Sequence, residues 1–280
     1  MRFVFFSLLL LLSGLAVSPA WSATACVTAE CHAQIGAIQR PHAPVAAGEC
    51  DTCHEAAGRQ HPGPGSLRLV ASGALLCAQC HEQPNATYVH GPVRTGRCDL
   101  CHAPHGSDQP GLIALPGNDI CFSCHGGIRQ TIARAVSQHE PVASGRCWNC
   151  HAPHAAEHRP LLQAAYPQAS YVKYRAADFA LCFECHSAAA FETEYTVSET
   201  RFRNGSRNLH WFHLQRPGKA RVCRNCHGVH GADQPHLLMK RVPDFGDWDI
   251  PLEWVRNGPV ATCYVGCHSP KSYGLEQFVP

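Results

Sequence analysis

The sequence predicts a mainly α-helical and irregular fold, in which short helices and turns alternate with little or no β-sheet. Its 23 Gly and 21 Pro together make 44 of 280 residues, about 16%, which favours turns and short elements over long helices or wide sheets. The chain also holds 18 Cys and 20 His against 2 Met, an excess that excludes a cytosolic enzyme of average composition. A formal net charge of +2 gives nucleic-acid binding no electrostatic support.

The N-terminus has the pattern of a secretory signal peptide, assigned to residues 1–22. One positive residue, Arg2, precedes an apolar run from Phe3 to Leu12, and small residues follow it. The run is too short to span a bilayer, and no later stretch reaches about 18 apolar residues. We therefore expect cleavage within Ala20–Ala25 and export of a mature chain without a transmembrane segment.

Every cysteine belongs to one of nine closely spaced pairs, and in each pair a histidine follows the second cysteine at once. Seven pairs are separated by two residues: Cys50/Cys53, Cys77/Cys80, Cys98/Cys101, Cys121/Cys124, Cys147/Cys150, Cys182/Cys185 and Cys223/Cys226. The first pair, Cys26/Cys31, has four intervening residues, and the last, Cys263/Cys267, has three. The histidines that follow are His32, His54, His81, His102, His125, His151, His186, His227 and His268.

The C-x-x-C-H spacing is the attachment signature of c-type haem. The two thiols form thioethers with the haem vinyl groups, and the adjacent histidine becomes the proximal iron ligand. Disulfides would suit an exported chain, but they require no histidine after the second cysteine. Zinc ribbons use C-x-x-C twice per site and likewise need no such histidine. The sequence therefore predicts nine covalently attached haems c.

Nine haems in so short a chain predict an unusual architecture. Removing about 22 residues leaves about 258, or about 29 residues per haem (258/9). The haems must then form most of the core, with short helices and turns wrapped around them. Without haem we expect the chain to be largely unfolded.

The chain repeats a unit that contains two haem motifs. A histidine lies eight residues before the first cysteine in three copies, at His42, His90 and His139. The motif pairs are 50/77, 98/121 and 147/182, with a looser fourth from Cys223 to Cys263 and an unpaired first motif at Cys26. On this basis we divide the chain into residues 23–187, an array with seven motifs, and residues 188–280, a module with two.

These residues resemble the doubled-CxxCH multihaem c-type cytochromes. The resemblance covers residues 26–268 and depends on HxPVxxGxCxxCHxPH followed by a second CxxCH. It implies haems with two histidine ligands, arranged in chains for electron transfer in the periplasm or outside the cell. The sequence departs from the pattern in the two widened motifs and after His54, where CHxPH is missing.

Eleven histidines remain as candidates for the second axial ligand. Nine of them occupy repeated or motif-like positions: His42, His61, His90, His105, His139, His154, His210, His213 and His230. His158 and His236 are left as surplus, and Met239 allows at most one His/Met haem. The sequence leaves open which second histidine serves which haem.

The predicted function is electron transfer by an iron-containing cytochrome, without catalytic residues. The expected partners are redox proteins, namely donor and acceptor cytochromes or an outer-membrane conduit, and a homo-oligomer or filament is possible. The alternative is a multihaem reductase of nitrite, hydroxylamine or a sulfur oxyanion, which would need one haem with an open position. A zinc-binding structural protein is the third reading.

Overall fold

The computed structural model describes residues 26–245 and 247–279. The predicted signal peptide, residues 1–22, lies outside the described part. The described chain forms two compact units: one contains residues 26–70 and 104–108, and the other contains residues 71–103 and those from 109 onward. The proposed division between residues 187 and 188 stays a prediction.

The helices are short, as expected from the many glycines and prolines. The longest has nine residues, and most have four. In chain order they are α1 (Ala33–Gly36), α2 (Ala43–Ala47), α3 (Ala74–Cys77), α4 (Gly91–Arg94), α5 (Asp119–Phe122), α6 (Gly126–Arg134), α7 (Glu140–Ala143), α8 (Ala180–Phe183), α9 (Ala189–Glu192) and α10 (Leu209–Leu214). Four of the haem motifs begin with a 3-10 turn instead: Cys50–Thr52, Cys98–Leu100, Cys147–Asn149 and Cys223–Asn225.

Strands are more abundant than expected. They are β1 (Arg40–Pro41), β2 (His54–Ala56), β3 (Leu67–Leu69), β4 (Tyr88–Val89), β5 (Gly106–Ser107), β6 (Ala155–Ala156), β7 (Arg203–Asn204), β8 (Arg207–Asn208), β9 (Arg241–Phe245), β10 (Trp248–Asn257), β11 (Val260–Val265) and β12 (His268–Gly274). The last four form an antiparallel sheet in the order β12-β11-β10-β9, and the others form two-stranded ladders.

The prediction of little or no β-sheet is wrong, because 28% of the structure is helical and 22% is strand. The C-terminal sheet has ordinary physical causes. Its strands β10 and β11 are rich in Trp, Val, Ile and Thr, which pack well on a pleated surface. A two-residue loop, Gly258-Pro259, joins them, and Gly258 has the positive φ of +59° that suits the first central position of a type II′ turn.

The C-terminal sheet has a small apolar core of its own. Val242, Ile250 and Leu252 are buried together, and Leu238 and Val265 pack against them. The sheet is tied to the preceding haem motif by the buried Gln234. Its side-chain amide donates to the carbonyls of Met239 and Leu252, both at 3.0 Å, and accepts from the Trp254 amide at 2.9 Å.

A repeated short helix precedes three of the haem motifs. α2, α4 and α7 each begin directly after a histidine, His42, His90 or His139, and each has proline in its first turn. Each is followed by a glycine with a φ between +71° and +75°: Gly48, Gly96 and Gly145. This left-handed residue reverses the chain two residues before the first cysteine of the motif.

Two-stranded ladders join successive repeats. β1 pairs with β5, and β4 pairs with β6 in the same arrangement, one repeat further along the chain. The ladders continue into backbone hydrogen bonds from the His42 amide to the His105 carbonyl at 3.0 Å and from the His90 amide to the His154 carbonyl at 2.9 Å. A histidine that begins a helix therefore lies beside one that follows a later CxxCH motif.

Within the part of the chain that the structure describes, no helix combines the length and apolar character needed to cross a bilayer.

Replacing Gln234 by leucine tests the link between the sheet and the haem motif. The variant Gln234→Leu leaves two carbonyls and one amide without their partner, which we expect to lower the free energy of unfolding by about 3 kcal/mol. The check is the midpoint of denaturant unfolding of the haem-loaded protein. Gln83→Leu, at an exposed position, is the matched control; equal midpoints for both variants would contradict this role.

Candidate functional site

The local backbone at six of the C-x-x-C-H motifs is the same. After the first cysteine the chain makes one helical or 3-10 turn, so that the backbone N–H of the motif histidine donates to the carbonyl of the first cysteine at 2.9–3.0 Å. The motifs with this turn start at Cys77, Cys98, Cys121, Cys147, Cys182 and Cys223. The turn brings the ends of each motif close together, as attachment to a single porphyrin requires.

The second cysteines of the second and third motifs, Cys53 and Cys80, close their turns in a similar way. The Cys53 amide donates to the Cys50 carbonyl at 3.3 Å, and the Cys80 amide donates to the Cys77 carbonyl at 3.2 Å. They differ in that the Cys53 carbonyl accepts from the Val70 amide at 3.1 Å, whereas Cys80 is exposed. Haem attachment at Cys53 and Cys80 stays a prediction.

None of the predicted attachment cysteines is used in a disulfide. All 18 cysteines of the sequence lie in the described residues, and every one of them is unpaired with another cysteine. Disulfides, the alternative use of close cysteine pairs in an exported chain, therefore do not compete for these thiols.

The ninth motif is built differently. Cys263 lies in β11, Cys267 lies in the hairpin loop, and His268 begins β12. Cys263 faces Trp254 across the ladder between β10 and β11, and its pKa is raised by burial to about 11.

Seven of the nine motif histidines lie opposite a histidine from another part of the chain. The ring centroids are 5.8–6.5 Å apart, and the rings are 12–36° from parallel. The pairs are His32–His61, His54–His105, His125–His90, His102–His154, His186–His139, His151–His230 and His227–His210.

This spacing fits two imidazoles on opposite sides of one iron. An iron–nitrogen bond of about 2 Å plus about 1.1 Å from nitrogen to ring centroid, taken twice, gives about 6.2 Å. The two imidazole planes can be near parallel, because each contains the iron–nitrogen axis. The residues present therefore fit a haem with two histidine ligands at each of these pairs.

The pKa shifts agree with neutral imidazoles at these positions. Burial and then the facing histidine lower the pKa of His54, His139, His154 and His230. Burial, followed by His227 and His213, lowers the pKa of His210 to about 3. A neutral imidazole keeps the nitrogen lone pair that binds iron.

The other predicted ligands fall at two places. His213 lies close enough to His268 that, after burial and its own hydrogen bond to the Leu209 carbonyl, His268 is the next influence on its pKa, which is lowered overall. His42 begins α2, and His81 follows the turn at Cys77. His158 has no facing imidazole in the described chain, and the His236 ring lies 5.2 Å from the Trp254 ring.

A repeated loop orients three of the motif histidines. Nδ1 of His102, His151 and His227 donates to the carbonyl nine residues further on: Gly111 at 2.8 Å, Pro160 at 3.1 Å and His236 at 3.0 Å. Because Nδ1 carries the proton, Nε2 is left for the iron. His236, predicted as surplus, thus contributes its backbone carbonyl rather than its ring.

The residue after that carbonyl is a leucine in the left-handed conformation. Leu112, Leu161 and Leu237 have φ values of +56°, +59° and +57°. Each leucine carbonyl accepts from the amide next to the motif histidine, at 2.8 Å in all three loops. Such strain costs about 1–3 kcal/mol and persists only where the surroundings impose it. A leucine ten residues after the motif histidine was the sequence signal for this loop.

Neighbouring motifs lie close together in a consistent order. Among the causes that raise thiol pKa values, after burial, are Cys50 for Cys26, Cys124 for Cys101, Cys147 for Cys121, Cys185 for Cys150 and Cys263 for Cys226. The Cys182 thiol shares a hydrogen bond with Cys223. From Cys98 to Cys267 each motif therefore lies beside the next one in sequence.

Helix α10 carries two of the predicted ligands, His210 and His213. The fully buried Asn208 caps it: the side-chain oxygen accepts from the amides of His210 and Trp211, and the nitrogen donates to two carbonyls, Ala190 and Thr193, at 2.9 Å. Asn208 thereby fixes both imidazoles relative to the rest of its unit. The sequence analysis did not single it out.

Comparison with known families gives one match. The family described as "Doubled CXXCH motif" matches residues 42–86, 90–130 and 139–191. These segments contain the three repeats that begin at His42, His90 and His139. No curated protein matches the chain.

Removing the Asn208 side chain tests the support of α10. Asn208→Ala leaves two buried carbonyls and two helix amides unpaired, so we expect about 2–4 kcal/mol lower stability in denaturant unfolding of the haem-loaded protein. The exposed Asn85→Ala is the control. An unchanged midpoint for Asn208→Ala would remove this residue from the account.

Proposed function

Because the chain belongs to the doubled-CXXCH family of multihaem c-type cytochromes, we propose that it is an exported nonahaem electron carrier of the periplasm or cell exterior. When bound, the haem irons supply reversible one-electron oxidation and reduction. The polypeptide attaches them through its paired cysteines, supplies their axial ligands and holds them in a row.

The imidazole pairs carry this proposal. In each pair the motif histidine is the proximal ligand and the facing histidine is the second one. We assign His268 and His213 as a further pair, on their proximity at the ninth motif. Two histidines per iron leave no position for a substrate.

A carrier is therefore favoured over a reductase. A multihaem reductase of nitrite, hydroxylamine or a sulfur oxyanion needs an iron with only one protein ligand. The seven pairs, spaced at 5.8–6.5 Å, leave no such iron at their motifs. We accordingly propose that the protein has no catalytic activity of its own.

The partners of a carrier are other redox proteins. Family membership implies such partners, and we propose donor and acceptor cytochromes or an outer-membrane conduit. The exposed His32 and Cys31 at the first motif make residues 26–36 a surface that a partner can approach.

The decisive measurement combines intact mass with low-temperature EPR of the oxidised protein. We expect nine haems and only low-spin signals, because every iron has two imidazoles. Fewer haems would contradict the nonahaem assignment. A high-spin signal that nitrite abolishes would instead favour the reductase.

A ligand variant tests an individual pair. His139→Ala removes the imidazole that faces His186 at 6.1 Å, so one iron of nine is expected to become high-spin. His158→Ala, which removes an imidazole without a facing partner in the described chain, is the matched control and should stay fully low-spin. A low-spin spectrum for both variants would refute the assignment of His139.

A further inference from the structure

Hydrogen bonds to the second ring nitrogen follow a rule in the repeated part of the chain. In the pair His102–His154, Nδ1 of His102 has a carbonyl acceptor, whereas in the pair His125–His90 it is Nδ1 of His90, 2.9 Å from the Pro153 carbonyl. Among the described residues, no acceptor lies within hydrogen-bond distance of Nδ1 of His125 or His154. One imidazole of each of these pairs is thus held by the backbone.

The pair His210–His227 departs from this rule. Nδ1 of His227 donates to the His236 carbonyl at 3.0 Å, and Nδ1 of His210 also has a partner, the Thr200 hydroxyl at 3.0 Å. The Phe202 amide donates to the same hydroxyl oxygen at 3.0 Å, so the oxygen is fixed in place as an acceptor.

The surroundings of this hydrogen bond are apolar. The rings of Phe191 and Phe202 each lie 5.1 Å from the His210 ring. A hydrogen bond is electrostatically stronger in such low-dielectric surroundings than in water. A side-chain acceptor also occurs at His61, whose Nδ1 lies 3.0 Å from Ser66 Oγ, but the motif histidine it faces, His32, is exposed to solvent.

We propose that Thr200 is a positioning residue that lowers the reduction potential of the haem held between His210 and His227. The inference rests on the proposed function. An acceptor at Nδ1 makes the imidazole a more basic ligand, which stabilises the ferric state over the ferrous state. Because the acceptor is a side chain, one substitution can remove it and leave the carbonyl at His227 untouched.

The test is an EPR-monitored redox titration of the haem-loaded protein and its variants. Thr200→Val keeps the shape of the side chain and removes the hydroxyl. We expect one haem of nine to favour the ferrous state by about tenfold more at a fixed potential, an upward shift of about 59 mV for one electron. Thr200→Ser should restore the wild-type potential.

The control is Thr193→Val, whose hydroxyl contacts only the Ala189 carbonyl and should leave all nine potentials unchanged. If Thr200→Val fails to incorporate nine haems, Thr200→Ala provides the same comparison. Wild-type potentials in the hydroxyl-free variant with nine haems would overturn the inference. Failure of the proposed function is read separately, from the haem count and spin state of the wild-type protein.

Discussion

A haem iron with two histidine ligands needs imidazoles on both sides, and one CxxCH motif supplies only one of them. The second must come from elsewhere, and the structure brings it from other segments: His154 to His102, His230 to His151. The ladders β1–β5 and β4–β6 provide this placement, because each sets a histidine before a helix beside one after a later motif. Axial ligation and the interlocking of repeats are therefore the same constraint.

That constraint explains why the described chain has so little apolar core. Its only large side chains that are fully buried are Phe179 and Asn208, and the one cluster of buried apolar residues belongs to the C-terminal sheet. The repeats instead place half-buried cysteines and histidines around spaces the size of an iron with two ligands. Covalent attachment then supplies cohesion that side-chain packing supplies elsewhere.

The C-terminal segment solves a problem common to repetitive folds. Each repeat is completed by strands of a later one, so the last repeat needs a different partner. The sheet β9–β12 takes this place after the loop at His236, and Gln234 joins it to the final repeated motif. The same region adds Asn208 and Thr200, side chains that hold ligands where the backbone carbonyls of the repeats do so elsewhere.

The sequence by itself determined the chemistry: the CxxCH spacing is local, so it identifies the attachment residues, the family and the repeat without reference to distant contacts. Short helices also followed from glycine and proline content. The C-terminal sheet was missed because composition averages over the chain and conceals the strand-forming residues after Arg241. Only the tertiary structure decided which histidines face each other, since His186 and His139 are separated in sequence by other candidates. Their meeting depends on ladders two residues long, whose pairing leaves no periodic signal in the sequence.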